Sequence, residues 1–243
     1  MSNIETDRIL DLSADWFREK IMIPHIQRST DLTDISKFNI NPLLQPYLSA
    51  FLDGEVTPLG IAKSLVYARA LGTSITTSFG QNIQSFISDV LQTAFGSTTS
   101  GIDIEFIDQV DHTKKYAQLK LGPNTINKDD VKTIHDHFSG IKNLGRTNSI
   151  KIEYGHLAVC VLYGSILDLN SHYKSLRDNH HYSMYVGADF WHRLTGDALF
   201  YQKLIRRLAS TVNEGDNSFR LDAVITELSM HPRIIELANS FRR

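Results

Sequence analysis

Acidic, amide and lysine side chains at alternating positions fall in two short segments joined by a polar connection. Ile102 to Asp108 alternates apolar and acidic residues and holds Asp103 and Glu105, and Lys115 to Leu121 holds Gln118, Leu119 and Lys120. A period of two puts Asp103 and Glu105 on one face of a strand, and Gln118 and Lys120 on one face of its neighbour, about 5 Å away across an antiparallel pair. Two carboxylates, an amide oxygen and the main-chain carbonyl of Leu119 are hard oxygen donors of the kind that suits Mg²⁺. A lysine beside them could orient or deprotonate a water, or stabilise the added charge on a pentacovalent phosphorane. These are the parts of metal-assisted phosphodiester hydrolysis. The same alternation is also the ordinary solvent-facing row of a half-exposed sheet, so the motif alone leaves both readings open.

Several elements must position these residues. The period-2 pair reads as an antiparallel hairpin, preceded by the flexible turn Gly96 to Gly101 and ended by Gly122-Pro123. Asn127 resembles an N-cap, with Asp129 and Asp130 in the first helical turn and Val131, Ile134, Phe138 and Ile141 as one apolar stripe. Gly140 to Ser149 reads as a polar loop, Leu157 to Tyr163 as a strand buried on both faces, and Tyr182 to Val186 as one more strand. Upstream, apolar spacing near 3.6 predicts helices on both sides of Pro24 and from about residue 83, with Pro42 and Pro58 as helix starts. Downstream, Asp189 to Leu194, Ala198 to Val212 and Leu221 to Phe241 read as helices. The expectation is one α/β domain over 1–243: a mainly helical part to 95, a central mixed β-sheet flanked by helices over 96–187, and C-terminal helices over 188–243.

Composition narrows the partners. Across 243 residues, 42% hydrophobic and 21% charged, the chain is neither disordered nor fibrous, and 25 basic against 27 acidic residues give a net charge of −2. That charge is uneven. Residues 1–112 hold 7 basic and 14 acidic side chains, 113–151 hold 8 and 3, and 152–243 hold 10 and 10. The basic segment contains Lys120, and it is the place for a polyanion. Lys114, Lys115, Asn124, Thr125, Asn127, Lys128 and Lys132 are the candidate contacts to DNA phosphate or base edges. No apolar run reaches the ~18 residues of a membrane span, and the first residues lack a secretory layout, so the expectation is a soluble cytoplasmic protein without a membrane partner. Cys160 lies inside an apolar run and reads as core. His135 and His137, two apart on the expected helix, point to different sides, and His180-His181 reads as a solvated pair. Zinc-hydrolase, Walker and Rossmann fingerprints do not occur.

An acidic strand, then a strand ending in (Asp/Glu)-x-Lys, then a helix resembles the core of the PD-(D/E)xK nuclease superfamily. Ile40 to Tyr47, Ser78 to Ile83, Asp103 to Asn127, Val161 to Gly164 and Tyr185 to Trp191 are similar, in order and spacing, to segments of type II restriction endonucleases that cut interrupted GG/CC palindromes, the PmeII-like enzymes among them. The resemblance implies a homodimeric endonuclease, dependent on Mg²⁺ with Mn²⁺ as substitute, that cuts double-stranded DNA at a short palindrome. A cognate DNA methyltransferase would belong to the same system without being a bound partner. It makes Asp103 the metal-binding aspartate and Lys120 the motif lysine. Gln118 departs from the pattern by standing where an acid is expected; Glu105 is the candidate to compensate, and Gln84 stands where related nucleases carry an additional acidic ligand. Two other readings remain open: a repair or junction nuclease of the same superfamily, and a catalytically weakened DNA-binding protein on that scaffold. The N-terminal helices and the segment from Leu221 are the candidate dimer faces.

Overall fold

The computed structural model describes residues 3–92, 95–97, 99–147, 149, 151–212 and 218–241; the side chains of 3–5, 83, 84, 218 and 219 lie outside that description. The strands are β1 (Ile104–Ile107), β2 (Lys114–Lys120), β3 (Leu157–Val161) and β4 (Ser183–Val186). The α-helices are α1 (Asn3–Trp16), α2 (Ile23–Thr30), α3 (Gln45–Asp53), α4 (Pro58–Tyr67), α5 (Ile75–Phe86), α6 (Lys128–Thr147), α7 (Ser171–Asp178), α8 (Ala188–Thr195), α9 (Phe200–Val212), α10 (Ser218–Ser229) and α11 (Pro232–Asn239). They group into two compact units, one of Met1–Trp16 with Ile83–Ser210 and one of Phe17–Asn82 with Thr211–Arg243.

The first unit contains the sheet, in the order β1-β2-β3-β4. β1 runs antiparallel to β2, while β2, β3 and β4 are parallel, so the sheet is mixed, as the strand patterns predict. Each parallel connection carries a helix, α6 and then α7, and both pack on one sheet face. There Ile134, Phe138, Ile141, Tyr173 and Leu176 meet Leu157, Val159, Val161, Met184 and Val186. The register Tyr116↔Leu157, Gln118↔Val159 and Lys120↔Val161 places Gln118 and Lys120 on that helix-covered face. On the opposite face, Phe106 meets Phe190 edge-on at 6.5 Å, and Trp191 lies 6.4 Å from Phe86. Every residue of β3 is buried, including Cys160.

The second unit is helical. α4 is its centre: Ala62 and Val66 pack with Leu32, Val224, Ile225 and Leu228, and Ile61 and Leu65 with Ile234 and Ala238. Thr57 caps α4 by accepting the Gly60 N–H at 3.0 Å.

Three local expectations are corrected. The stretch from Gly140 is not a loop: α6 continues to Thr147 because buried Ile141 and Gly145 prolong the stripe begun by Ile134 and Phe138. A glycine in a helix costs only about 1 kcal/mol, which this packing outweighs. The segment after Leu221 is two helices, since Pro232 starts α11 and His231 caps it by accepting the Arg233 N–H. α3 begins at Gln45 with Pro46 in its first turn, three residues beyond Pro42.

Candidate active site

Asp103 stands one residue before β1 and is held at three points. Its N–H donates to Ala117 O at 3.0 Å, its carbonyl accepts from Gln92 Nε2 at 3.0 Å, and its Oδ2 accepts the Leu119 N–H at 2.7 Å. Among the described residues, Oδ1 has no hydrogen-bond partner. Extending the Ile104↔Ala117 register by one residue sets Asp103 beside Gln118. Burial pushes the Asp103 carboxyl above the ordinary carboxylate value, against the downward pull of the Leu119 N–H, the Lys120 ammonium and His137.

Lys120 ends β2 on the same face and points to the first turn of α6, where Nζ lies 3.2 Å from Asp130 Oδ1. Asp130 Oδ2 accepts the Asn127 N–H at 2.9 Å, while Asn127 Oδ1 accepts from the N–H groups of Asp129 and Asp130. This reciprocal cap joins the end of β2 to the start of α6. Burial raises the Asp130 carboxyl, but the Asn127 N–H and Lys120 outweigh it and hold it below the usual range.

Gln118 is 7% exposed. Its Nε2 donates to Gly101 O and lies 2.9 Å from His137 Nδ1. His135, two residues earlier on α6, turns elsewhere, with Nδ1 2.9 Å from Tyr182 Oη. Asp103, Gln118, Lys120, Asp130 and His137 therefore form one cluster between the β1–β2 edge and α6. Neither Asp130 nor His137 belongs to the (Asp/Glu)-x-Lys motif in the sequence. The signal was the helix phase, since 130, 134, 137 and 141 recur at four- and three-residue spacing on the buried stripe.

Glu105 does not join them. Its Oε1 accepts from Ser97 and Thr99 at 2.9 and 2.6 Å, and its Oε2 pairs with Lys114 at 2.7 Å, so the expected compensating carboxylate is spent on the segment before β1 and on the start of β2. Lys115 is corrected as a DNA contact: 2% exposed, it bonds Asp111 Oδ2 at 2.7 Å and Gly155 O at 2.8 Å. No face of its ammonium is left for phosphate. Lys114 is half exposed but paired with Glu105. Asn124, Lys128 and Lys132 are exposed. Thr125 donates to Gly122 O at 2.9 Å, and Asn127 is engaged as the cap, so both shape the turn after β2. Gln84 lies on α5, and its side chain is outside the described residues.

The oxygen donors at Asp103 suit Mg²⁺ in kind: a carboxylate, the Gln118 amide oxygen and the Leu119 main-chain carbonyl. They carry a single negative charge. Among the described residues, no group of three or more His, Cys, Asp or Glu is placed to hold a metal ion. A cation here would rely on donor geometry and on the phosphate it meets.

A family model described as type II restriction endonuclease EcoO109I matches residues 13–216, which include every member of this cluster. No curated protein matches the chain. With the match covering well over half its length, the chain belongs to the EcoO109I family of type II restriction endonucleases.

Proposed function

We propose that the chain hydrolyses both strands of DNA at a short palindromic site, as a homodimer with Mg²⁺, or Mn²⁺ in its place. The finer likeness, to PmeII-like enzymes that cut interrupted GG/CC palindromes, is part of this proposal. The observation that carries it is the seating of Asp103 Oδ2 on the Leu119 N–H, which sets the carboxylate against the Gln118–Leu119 peptide, next to Lys120 in the chain.

Asp103, Gln118 Oε1 and the Leu119 carbonyl would hold the cation, which when bound polarises the phosphate and favours formation of hydroxide from water. Asp103 supplies the negative charge. Lys120, braced by Asp130, supplies a cation for the charge that develops on phosphorus oxygens or for orienting the attacking water. Lys128 and Lys132, exposed beside the start of α6, supply salt-sensitive phosphate contacts.

A palindrome calls for a two-fold symmetric protein. In the helical unit Tyr47 and Phe51, with ring centroids 6.0 Å apart on α3, and Leu43 in the turn before it form an apolar row exposed at 62, 73 and 90%. The flanking Asp53 is occupied by Lys63 at 2.9 Å. Such an uncharged apolar row supports a subunit contact.

Digestion of a plasmid of known sequence in Mg²⁺ tests this reading. Discrete fragments that map to one palindrome support it; selective cutting of branched DNA would assign a junction nuclease instead. Gln118 motivates the third reading, a DNA-binding protein that has lost activity, and tight binding without cleavage across Mg²⁺ and Mn²⁺ titrations would establish it.

A further inference from the structure

Gln118 stands where the (Asp/Glu)-x-Lys pattern has an acid, and its surroundings suit an amide. Gly101 O faces it, and a carbonyl only accepts, so the atom of residue 118 against Gly101 must be a donor. The same nitrogen lies 2.9 Å from His137 Nδ1. An amide nitrogen carries two hydrogens, one for each acceptor, and a carboxylate carries none. With Nδ1 accepting from the amide, the ring proton resides on Nε2.

The three residues leave one another little room. Gly101 adopts φ +78°, and a Cβ there would lie 2.6 Å from His137 Cγ, so the imidazole packs directly on the Gly101 backbone. Ile134 and Ile141, one turn to either side of His137 on α6, are 0 and 2% exposed, and they fix the helix phase that aims the ring. Asp103 follows Gly101 by two residues. Whatever holds Gly101 also sets where Asp103 enters the sheet.

We infer that Gln118 and His137 are a positioning pair for Asp103, in which the amide at 118 is a requirement of the site and not a degraded acid. Gln118 fastens the Gly101 turn and orients the imidazole. Among the described residues its Oε1 and the His137 Nε2–H have no partner, which leaves the oxygen for a cation or water and the ring N–H as a donor. An acid at 118 would set carboxylate oxygens against Gly101 O and an unprotonated Nδ1, and the turn would shift with Asp103 on it.

This inference rests on the phosphodiester-hydrolysis reading above, and two measurements separate their fates. In the first, Gln118→Glu, His137→Leu and His137→Asn are compared with the wild type in single-turnover cleavage across a Mg²⁺ titration, after thermal melting has shown each to be folded. Asparagine can place Oδ1 near the position of Nδ1. Gln118→Glu and His137→Leu are expected to lower the rate about tenfold or more with little change in DNA affinity, and His137→Asn to stay within about threefold of the wild type. Gln118→Glu is also expected not to reduce the Mg²⁺ needed. In the second, the ring-nitrogen chemical shifts of His137 in the wild type report the tautomer directly, with the Nε2–H form expected. A Gln118→Glu enzyme that cuts as fast as the wild type or faster, or an Nδ1–H tautomer, would overturn the inference. A wild type that cuts no DNA overturns the hydrolysis reading instead, and the tautomer still decides the pair.

Discussion

Lys120 Nζ lies 3.2 Å from Asp130 Oδ1, and Asp130 Oδ2 accepts the Asn127 N–H, so the cap that starts α6 also braces the motif lysine. Asp130→Ala is expected to cost about 1 kcal/mol of stability through the lost cap. It should also slow cleavage about tenfold by freeing Lys120, with DNA affinity unchanged or slightly higher for want of one negative charge. Thermal melting and single-turnover rates at saturating enzyme check both. A melting shift with no rate change would make Asp130 a helix cap only.

Lys114 and Lys115 are neighbours in sequence with opposite fates. Lys115 is buried between Asp111 and Gly155, near Asp108, which also accepts from Arg193 at 2.8 Å. Removing one charge from such a network leaves the others uncompensated. Lys115→Met should therefore destabilise by about 3 kcal/mol, and Lys114→Met by less than about 1. Denaturant titration of the two variants measures the contrast.

Acid should weaken the same network. Burial raises the Asp111 carboxyl, but hydrogen bonds from Lys115 and Thr113 outweigh it and hold the group at about 2. A carboxylate depressed in the folded chain contributes stability that is fully present above its unfolded value of about 4 and lost as the pH falls toward 2. Unfolding midpoints followed from pH 5 to 2 should fall more steeply for the wild type than for Asp111→Asn. Parallel curves would contradict the assignment.

Exposed Lys128 and Lys132 should each contribute one unit of salt dependence. Replacing either with alanine is expected to reduce the slope of log affinity against log salt by about 1. Lys114, tied to Glu105, should change it less. Fluorescence anisotropy with a short duplex across a salt series provides the slopes.

The strands were legible in the sequence because their signals are local. The alternation through Asp103 and Glu105 and the apolar run through Cys160 each specify burial on one or two faces, and the observed β1 and β3 follow. Side-chain partners were less legible, since they depend on rotamers and on segments distant in sequence. Glu105 shares the strand period of Asp103 yet turns to Ser97, Thr99 and Lys114. Lys115 belongs to a basic segment by composition, yet its place in the sheet buries it. The spacing of His137 from His135 argues against a shared metal. His137 meets Gln118 only because α6 packs on the sheet.

In the proposed function Asp103 and Lys120 together carry DNA cleavage. Cleavage of a mapped plasmid in Mg²⁺ by Asp103→Ala and Lys120→Ala, with binding to the same DNA measured alongside, is the decisive measurement. Each substitution is predicted to abolish cutting while site-specific binding is largely retained. Cutting at the wild-type positions by both variants would overturn the assignment of these two residues.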